Sequence, residues 1–514
     1  MFKCMSLINS CRLVFALPLF LILLMACSGQ TPTEQVITEE PEPHSEAAVP
    51  TEKVESTSSQ VSGFTAVPTE PQETLMAPTP ANDGGIPMLN IGSESRALEL
   101  QGRETLIQDA GLKFMRHNGL LWPRVEPQEG DRKWNAINKL EQKLADASAT
   151  GLELILIVRG TPEWAQKVPG SSCGPIKPEK LEAFAAFMGD LVKRYSVPPY
   201  NIKYWEIGNE PDVAPNLVKP DSVFGCWGDE NDPYYGGEYY AEMLKVVYPA
   251  IKAADPDANV LIGGLLLDCD PTQPPEGQDC LPGKFFEGIL KNGGGQFFDY
   301  VSFHGYAPYS GPTSGQGGLY MDEHHPNWEH RGGVVLGKID FLRELMQTYG
   351  VDKPIFHTEG SLMCPSSNQN DCNPPADSFF ESQADYVIWL FIRDWAADVK
   401  GAIWYPFEGP GWRYGGLLDE NQEPKSAYRA LSFLTKELEG ARYTGRLTEF
   451  PGVNGYEFVT NDKKIWVLWS PDEQPQLVPL NQDVLAIYDK YGNTVEVQSG
   501  EVSVSSPIYI EVAP

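Results

Sequence analysis

Basic residues are scarce in this sequence: 39 Lys and Arg stand against 70 Asp and Glu, a formal net charge of −31 over 514 residues. No basic cluster interrupts the acidity. A surface of that sign repels nucleic acid and anionic membranes, so nucleic-acid partners and polybasic membrane contacts are excluded, and polyuronides are disfavoured as substrates. Histidine is rarer still, at seven, and the nine cysteines form no compact Cys/His spacing. No metal and no cofactor is therefore implied. Apolar runs long enough to cross a membrane are also missing. The longest, Leu13 to Met25, holds about 13 residues and suits the apolar core of a secretory signal. Residues 28–85 have one basic residue, Lys53, and one aromatic, Phe64, among Pro, Thr, Ser and Glu. Such a segment cannot bury enough apolar surface to fold and reads as a disordered tether.

Ahead of that tether, Lys3 and Arg12 precede the apolar run, and Leu24-Met25-Ala26-Cys27 closes it. The last four resemble the bacterial lipobox. The resemblance implies that 1–27 is a lipoprotein signal, with Cys27 the lipidated first mature residue. The protein would then sit at the cell surface or on the periplasmic side, held to the membrane by its N-terminal lipid alone. Cys173, Cys226, Cys269, Cys280, Cys364 and Cys372 remain, an even number in an exported chain. Cys269 and Cys280 share one polar loop, as do Cys364 and Cys372, which predicts two local bridges. Cys173–Cys226 is then the third, by elimination.

What is present is a repeat. From residue 86 to about 440, apolar strands alternate with amphipathic helices. The strands are expected at Pro87–Ile91, Leu112–Arg116, Leu152–Val158, Asn201–Ile207, Val260–Gly264, Asp299–His304, around Ile355, and Val399–Trp404. The first helix is expected at Leu98–Ala110. Eight strands, apolar on both faces and separated by helices, predict an α/β fold, the (β/α)8 TIM barrel. Over 441–514 the period changes to two, and strands near Tyr456, Ile465, Val484, Val495 and Ile508 predict a small antiparallel β-sandwich. Nothing asks for a second subunit, so a monomer is expected.

Two strands end alike. Tyr204-Trp205-Glu206-Ile207-Gly208-Asn209-Glu210-Pro211 closes on a glutamate, where the proline biases Glu210 away from the α region. Pro354-Ile355-Phe356-His357-Thr358-Glu359-Gly360 does the same. A barrel presents its site at the C-terminal strand ends, and paired carboxylates there suit hydrolysis of a glycosidic bond. One of the pair would be the proton donor, needing a raised pKa, and the other an ionised nucleophile, which a donor such as Arg116 or Tyr306 would favour. Asn209 can bond the sugar 2-hydroxyl. Glu206 is expected to be structural, on a different level from Glu210.

These motifs make the chain similar to clan A glycoside hydrolases, family 39 in particular and family 5 second. Trp122…Glu126-Pro127…Gly130 and Thr161-Pro162-Glu163-Trp164-Ala165 add to the resemblance. It implies Glu210 as acid/base, Glu359 as nucleophile and retention of anomeric configuration. Arg116, His304, Tyr306 and Trp404 match substrate-site positions of the clan, Trp404 as a platform for the sugar. Trp122, Trp164 and Trp412 are further candidates for sugar contact. Loop aromatics such as Trp227, Tyr235, Tyr309 and Trp328 are spread over several insertions. That favours an open cleft and internal cleavage of a neutral xylan, mannan or glucan. An exo-acting xylosidase or glucosidase, a transglycosylase and a non-catalytic carbohydrate-binding protein are the alternatives.

Overall fold

The computed structural model describes residues 85–514 except 223, 312–316, 366–374, 481, 482 and 498. The signal segment, Cys27, residues 28–84 and Cys372 lie outside the described residues. Among the described residues, no helix is long and apolar enough to cross a membrane.

Among the described residues nine strands precede residue 405: β1 (Ile86–Pro87), β2 (Asn90–Glu94), β3 (Phe114–Leu121), β4 (Glu153–Arg159), β5 (Tyr204–Ile207), β6 (Asn259–Ile262), β7 (Val301–Pro308), β8 (Ile355–Met363) and β9 (Gly401–Trp404). The last eight form one parallel sheet in the order β6-β5-β4-β3-β2-β9-β8-β7. Bridges Leu261–Tyr300 and Leu265–Phe303 join its two ends and close it into a barrel. Helices such as Leu181–Tyr195, Gly237–Ala254, Val334–Thr348 and Asp377–Ala396 connect successive strands, as parallel pairing requires.

Period two along the strands sorts the barrel interior into levels. Phe114, Ile155, Leu261, Phe356 and Ile403, with Tyr204 and Tyr300 against them, form an apolar plug low in the lumen. Two residues further along three of these strands stand Arg116, Glu206 and Thr358, all buried. The polar level thus lies directly above a dry floor. Two bulges adjust it. The β7–β8 register slips so that Phe303 faces His357 but His304 faces Glu359, and the β8–β9 register slips between His357 and Gly360. An extra residue re-aims the side chains after it, and so Glu359 joins the level that strict alternation from Thr358 would deny it.

Among the described residues seven strands come after the barrel: β10 (Arg442–Leu447), β11 (Asn454–Val459), β12 (Lys464–Trp469), β13 (Gln476–Pro479), β14 (Val484–Asp489), β15 (Glu501–Val504) and β16 (Ile508–Val512). With β1 they make a six-stranded antiparallel sheet, β1-β10-β11-β12-β16-β14, and a two-stranded ribbon, β13-β15. Alternate residues of β12 serve two cores. Trp466 and Leu468 join Val478, Val502 and Val504 of the ribbon, while Ile465, Val467 and Trp469 join the core of the barrel.

Three expectations are corrected. The strand expected at Pro87–Ile91 is two strands: β1 pairs with β10, and the barrel strand starts at Asn90 and runs on to Glu94. The helix expected at Leu98–Ala110 shrinks to Glu104–Asp109, because Leu98 at φ 49° and Gly102 at φ 79° take left-handed backbone. The segment near Val495 forms no strand. After the turn at Gly492 it makes only the bridge Tyr488–Thr494, and β15 supplies the pairing further on.

Candidate active site

Arg116 organises the polar level. It is fully buried, and its guanidinium pairs with Glu94, with Glu206 at 2.6 Å and with Glu359. Its remaining N–H groups reach Asn209 Oδ1 at 2.9 Å and His304 Nε2 at 3.4 Å. Glu206 also accepts from Ser302 and Thr358, which fixes it below the reacting level. Burial raises the pKa of Glu206, with Arg116 opposing. Glu94 is pushed up to about 8 by burial, against the pull of Arg116, with Glu359 and Glu206 adding to the rise. One buried cation among three buried carboxylates cannot offset them all, and the excess shows as proton retention.

Glu210 leaves β5 through Gly208, at φ 80°, and itself adopts φ 50°. It avoids the right-handed region before Pro211 by taking the left-handed one, an uncommon and strained choice for a glutamate. Its amide donates to Gly264 O at 3.0 Å, tying the turn to the end of β6. Its Oε1 lies 2.8 Å from His304 Nδ1. His304 Nε2 is 3.6 Å from Glu359 Oε1. One oxygen of each glutamate and one nitrogen of the imidazole all lie within 4.8 Å of one another. The second oxygen of Glu359 accepts the Tyr306 hydroxyl.

These contacts separate the two carboxylates. Burial raises the pKa of Glu210 well above the ordinary range, and the charges of Glu359 and Asp212 add to it. Burial, then the Arg116 charge, lowers the pKa of His304 far enough to keep the imidazole neutral. Arginine only donates, so its N–H at Nε2 leaves the imidazole proton on Nδ1, which donates to Glu210 Oε1. Glu359 holds two donors, the Arg116 guanidinium and the Tyr306 phenol. Burial and the neighbouring Glu359 raise the pKa of that phenol, so it stays a donor. Glu210, His304 and Glu359 could each offer a ligand atom to a metal, but Arg116 already occupies Glu359 and would repel a cation there.

The aromatic candidates divide. Trp412, partly buried, meets the Tyr306 ring edge-on at 5.5 Å, which puts it beside Glu359. Trp164 is partly buried and donates to Glu126 O. Trp122 and Trp404 depart from the expectation of sugar contact. Trp122 is fully buried among Trp164, Phe184 and Phe187, with its N–H given to Glu126 at 2.6 Å. Trp404 is fully buried beside Tyr386, with its N–H given to Gly415 O at 2.8 Å. Neither offers a ring face as a platform. Trp227, Tyr235, Tyr309 and Trp328 are likewise interior to their loops. The Glu126-Pro127…Gly130 stretch is structural: Glu126 accepts from Trp122 and from Gly130 N and pairs with Arg132.

Two residues at the site are not marked out by the sequence reading. Glu94 falls beyond the end expected for the first strand, although a glutamate closing an apolar strand is the same signal that marks Glu210 and Glu359. Tyr405 directly follows β9, and its ring stands edge-on to Tyr306 at 6.1 Å. Cys173–Cys226 and Cys269–Cys280 are bonded, and Cys364 is disulfide-bonded too, with its expected partner Cys372 outside the described residues.

No protein-family model matches the sequence, and no curated protein matches it. Solved structures do match. A family 39 glycoside hydrolase from Bacteroides cellulosilyticus has a TM-score of 0.60 at 19% identity, over 83% of this chain and 81% of that one. A family 51 α-L-arabinofuranosidase from Bifidobacterium longum has a TM-score of 0.56 at 14% identity, over 85% and 98%. A family 30 subfamily 8 xylanase from Clostridium acetobutylicum has a TM-score of 0.52 at 16% identity, over 84% and 97%. At such identities the likeness is one of fold. The chain has a (β/α)8 barrel like theirs, followed by an antiparallel sheet.

Proposed function

We propose that the protein is a retaining β-glycoside hydrolase, with Glu359 the nucleophile and Glu210 the acid/base. The observation that carries this is the meeting of two carboxylates within 4.8 Å at their nearest ligand atoms, Glu210 with its pKa raised by burial and Glu359 held by Arg116 and Tyr306. Retaining enzymes place such groups ~5–5.5 Å apart, and inverting ones leave ~6.5–9.5 Å for a water. Glu359, oriented by Arg116 and Tyr306, attacks the anomeric carbon while Glu210 gives its proton to the departing oxygen. The C–O bond to the leaving group breaks as the bond to Glu359 forms. Glu210, now ionised, takes a proton from water, whose oxygen displaces Glu359 and restores both groups. Asn209 uses its oxygen on Arg116, which leaves its amide N–H groups to donate to the sugar 2-hydroxyl.

Substrate and mode rest on less direct support. The acidic chain favours a neutral polysaccharide of xylan, mannan or glucan type. Trp164 follows β4 and Trp412 follows β9, strands separated by β3 and β2 in the barrel, a spacing that suits a chain lying across it and cut internally. The structural relatives named for a xylanase and an arabinofuranosidase support carbohydrate as the substrate class. The test is Glu359→Ala. Turnover of aryl β-xylosides and β-glucosides should drop by orders of magnitude, and azide should restore it with formation of the inverted glycosyl azide. Full activity in that variant would rule out the assignment. Early products from xylan, mannan and β-glucan separate the modes: an oligosaccharide ladder for internal cleavage, monosaccharide alone for an exo enzyme.

A further inference from the structure

Behind Glu210 the structure holds a buried lysine that the reaction itself does not use. Lys338 lies on the helix Val334–Thr348, is 6% exposed, and aims its ammonium into the barrel wall, where Trp328 stands 5.9 Å away. Among the described residues it forms no ion pair. It donates instead to two backbone carbonyls, His304 O at 2.9 Å and Leu266 O at 2.7 Å. A lysine buried without a paired carboxylate is costly and calls for a reason. Asp212, also buried, lies two residues beyond Glu210. Its two oxygens accept the consecutive amides of Leu266, at 2.9 Å, and Leu267, at 2.8 Å. Leu267 takes φ 50°, left-handed backbone that a leucine rarely adopts and that this pair of amide contacts accompanies.

The contacts form a closed circuit. Glu210 meets His304 through the side chains, and His304 meets Lys338 through its carbonyl. Lys338 meets Leu266, Leu266 and Leu267 meet Asp212, and Asp212 returns to Glu210 through Pro211. We propose that Lys338 and Asp212 are positioning residues that close a ring around Glu210, fixing its carboxyl against His304 and the leaving-group oxygen. The inference rests on the assignment of Glu210 as acid/base. It goes beyond that assignment in naming two residues that touch no substrate. Each half of the ring fixes one partner of the Glu210–His304 contact. Asp212 anchors the turn that carries Glu210, and Lys338 anchors the backbone that carries His304.

A ring of this kind makes two readouts that a merely structural pair would not. In full-length protein labelled with 15N-histidine, the Nδ1–H of His304 should give a protected NMR signal, assigned by its loss in His304→Asn. That signal should shift or vanish in Lys338→Met and in Asp212→Asn. Both variants should also lose activity unevenly. On phenyl β-xyloside or β-glucoside, which needs proton donation, the loss should be about 10-fold or more. On the 2,4-dinitrophenyl glycosides, whose leaving group departs unaided, it should be about 3-fold or less. Asp212→Asn keeps the shape of the side chain and carries the test if Lys338→Met does not fold. Folded variants that keep the His304 signal, or that lose both substrates equally, would overturn the ring. A wild-type protein with no turnover would overturn the assignment of Glu210, while the NMR arm still decides the ring.

Discussion

At the scale of single residues, the site works by giving like groups unlike surroundings. Glu210 and Glu359 are both glutamates at strand ends, yet one sits against a neutral imidazole and the other against a guanidinium and a phenol. Glu210→Ala should therefore cost about 10²–10⁴-fold on substrates with poor leaving groups and far less on dinitrophenyl glycosides. It should also remove the alkaline limb of the pH–rate profile, because in the proposed mechanism the proton held above the ordinary carboxylate range is the one donated. Equal loss on both substrates would show that the donor is another group. Glu94 predicts a stability effect of definite sign. Its pKa is about 8 in the folded chain and near 4.5 when unfolded. Below pH 4.5 both states hold the proton. As pH rises from there through 8, the unfolded state releases it first and the folded state loses stability. The melting temperature should fall across that window, and Glu94→Gln should flatten the fall. An unchanged slope in the variant would show that Glu94 is not the titrating group.

At the scale of elements, the turn that carries Glu210 is held from outside as well as from within. Residues 225–228 run beside 209–213: Gly225 N bonds Asn209 O, Trp227 N bonds Pro211 O at 2.9 Å, and Gly228 N bonds Val213 O at 2.9 Å. A Cβ on Gly225 would stand 3.0 Å from the backbone N and O of Asn209, tighter than ordinary contact, and glycine relieves that crowding. Cys226, the next residue, ties the strip to Cys173 in the loop after β4. Replacing both cysteines by serine should leave the barrel folded but loosen the turn, with kcat falling by about 10-fold or more and circular dichroism unchanged. Unchanged kcat would mean that the backbone bonds suffice. Little of this is legible in the sequence. The strands β5 and β8 stand out because apolar runs end abruptly in carboxylates, and the barrel is implied by eight such runs. The bulge that turns Glu359 inward depends on the register with β7 and β9, which no local pattern carries. Whether a tryptophan faces sugar or core is also decided by distant neighbours, and so Trp122 and Trp404 lie away from where their motifs suggest. Lys338 gives no signal at all: in its helix it reads as one more surface lysine.

At the scale of the whole molecule, the C-terminal sheet is built into the barrel's core. The strand β1, which precedes the first barrel strand, pairs with β10 at the edge of that sheet, so the chain enters the barrel through its partner. Trp395 Nε1 donates to Ile86 O at 3.0 Å and fastens this entry to the helix Asp377–Ala396. The same helix presents Trp389 to Trp469 of β12, stacked at 5.5 Å, and Trp395 to Phe458 of β11 at 4.7 Å. Lys490 adds a polar contact to Asp385, 2.7 Å away and also on that helix. All four aromatic rings are 1% exposed or less. A truncation after residue 440 would uncover this apolar strip and leave β1 unpaired, a combination that invites aggregation. The barrel and sheet should accordingly melt as one cooperative unit. Trp469→Ala, which removes a ring from between them, should cost ~3–5 kcal/mol. It should lower the thermal midpoint measured by the proposed glycosidase activity, which reports the barrel, as much as that measured by far-UV circular dichroism, which reports the whole. Two separate transitions in the wild-type protein, or a variant in which activity survives beyond the loss of sheet signal, would show instead that the sheet is an appendage the barrel can do without.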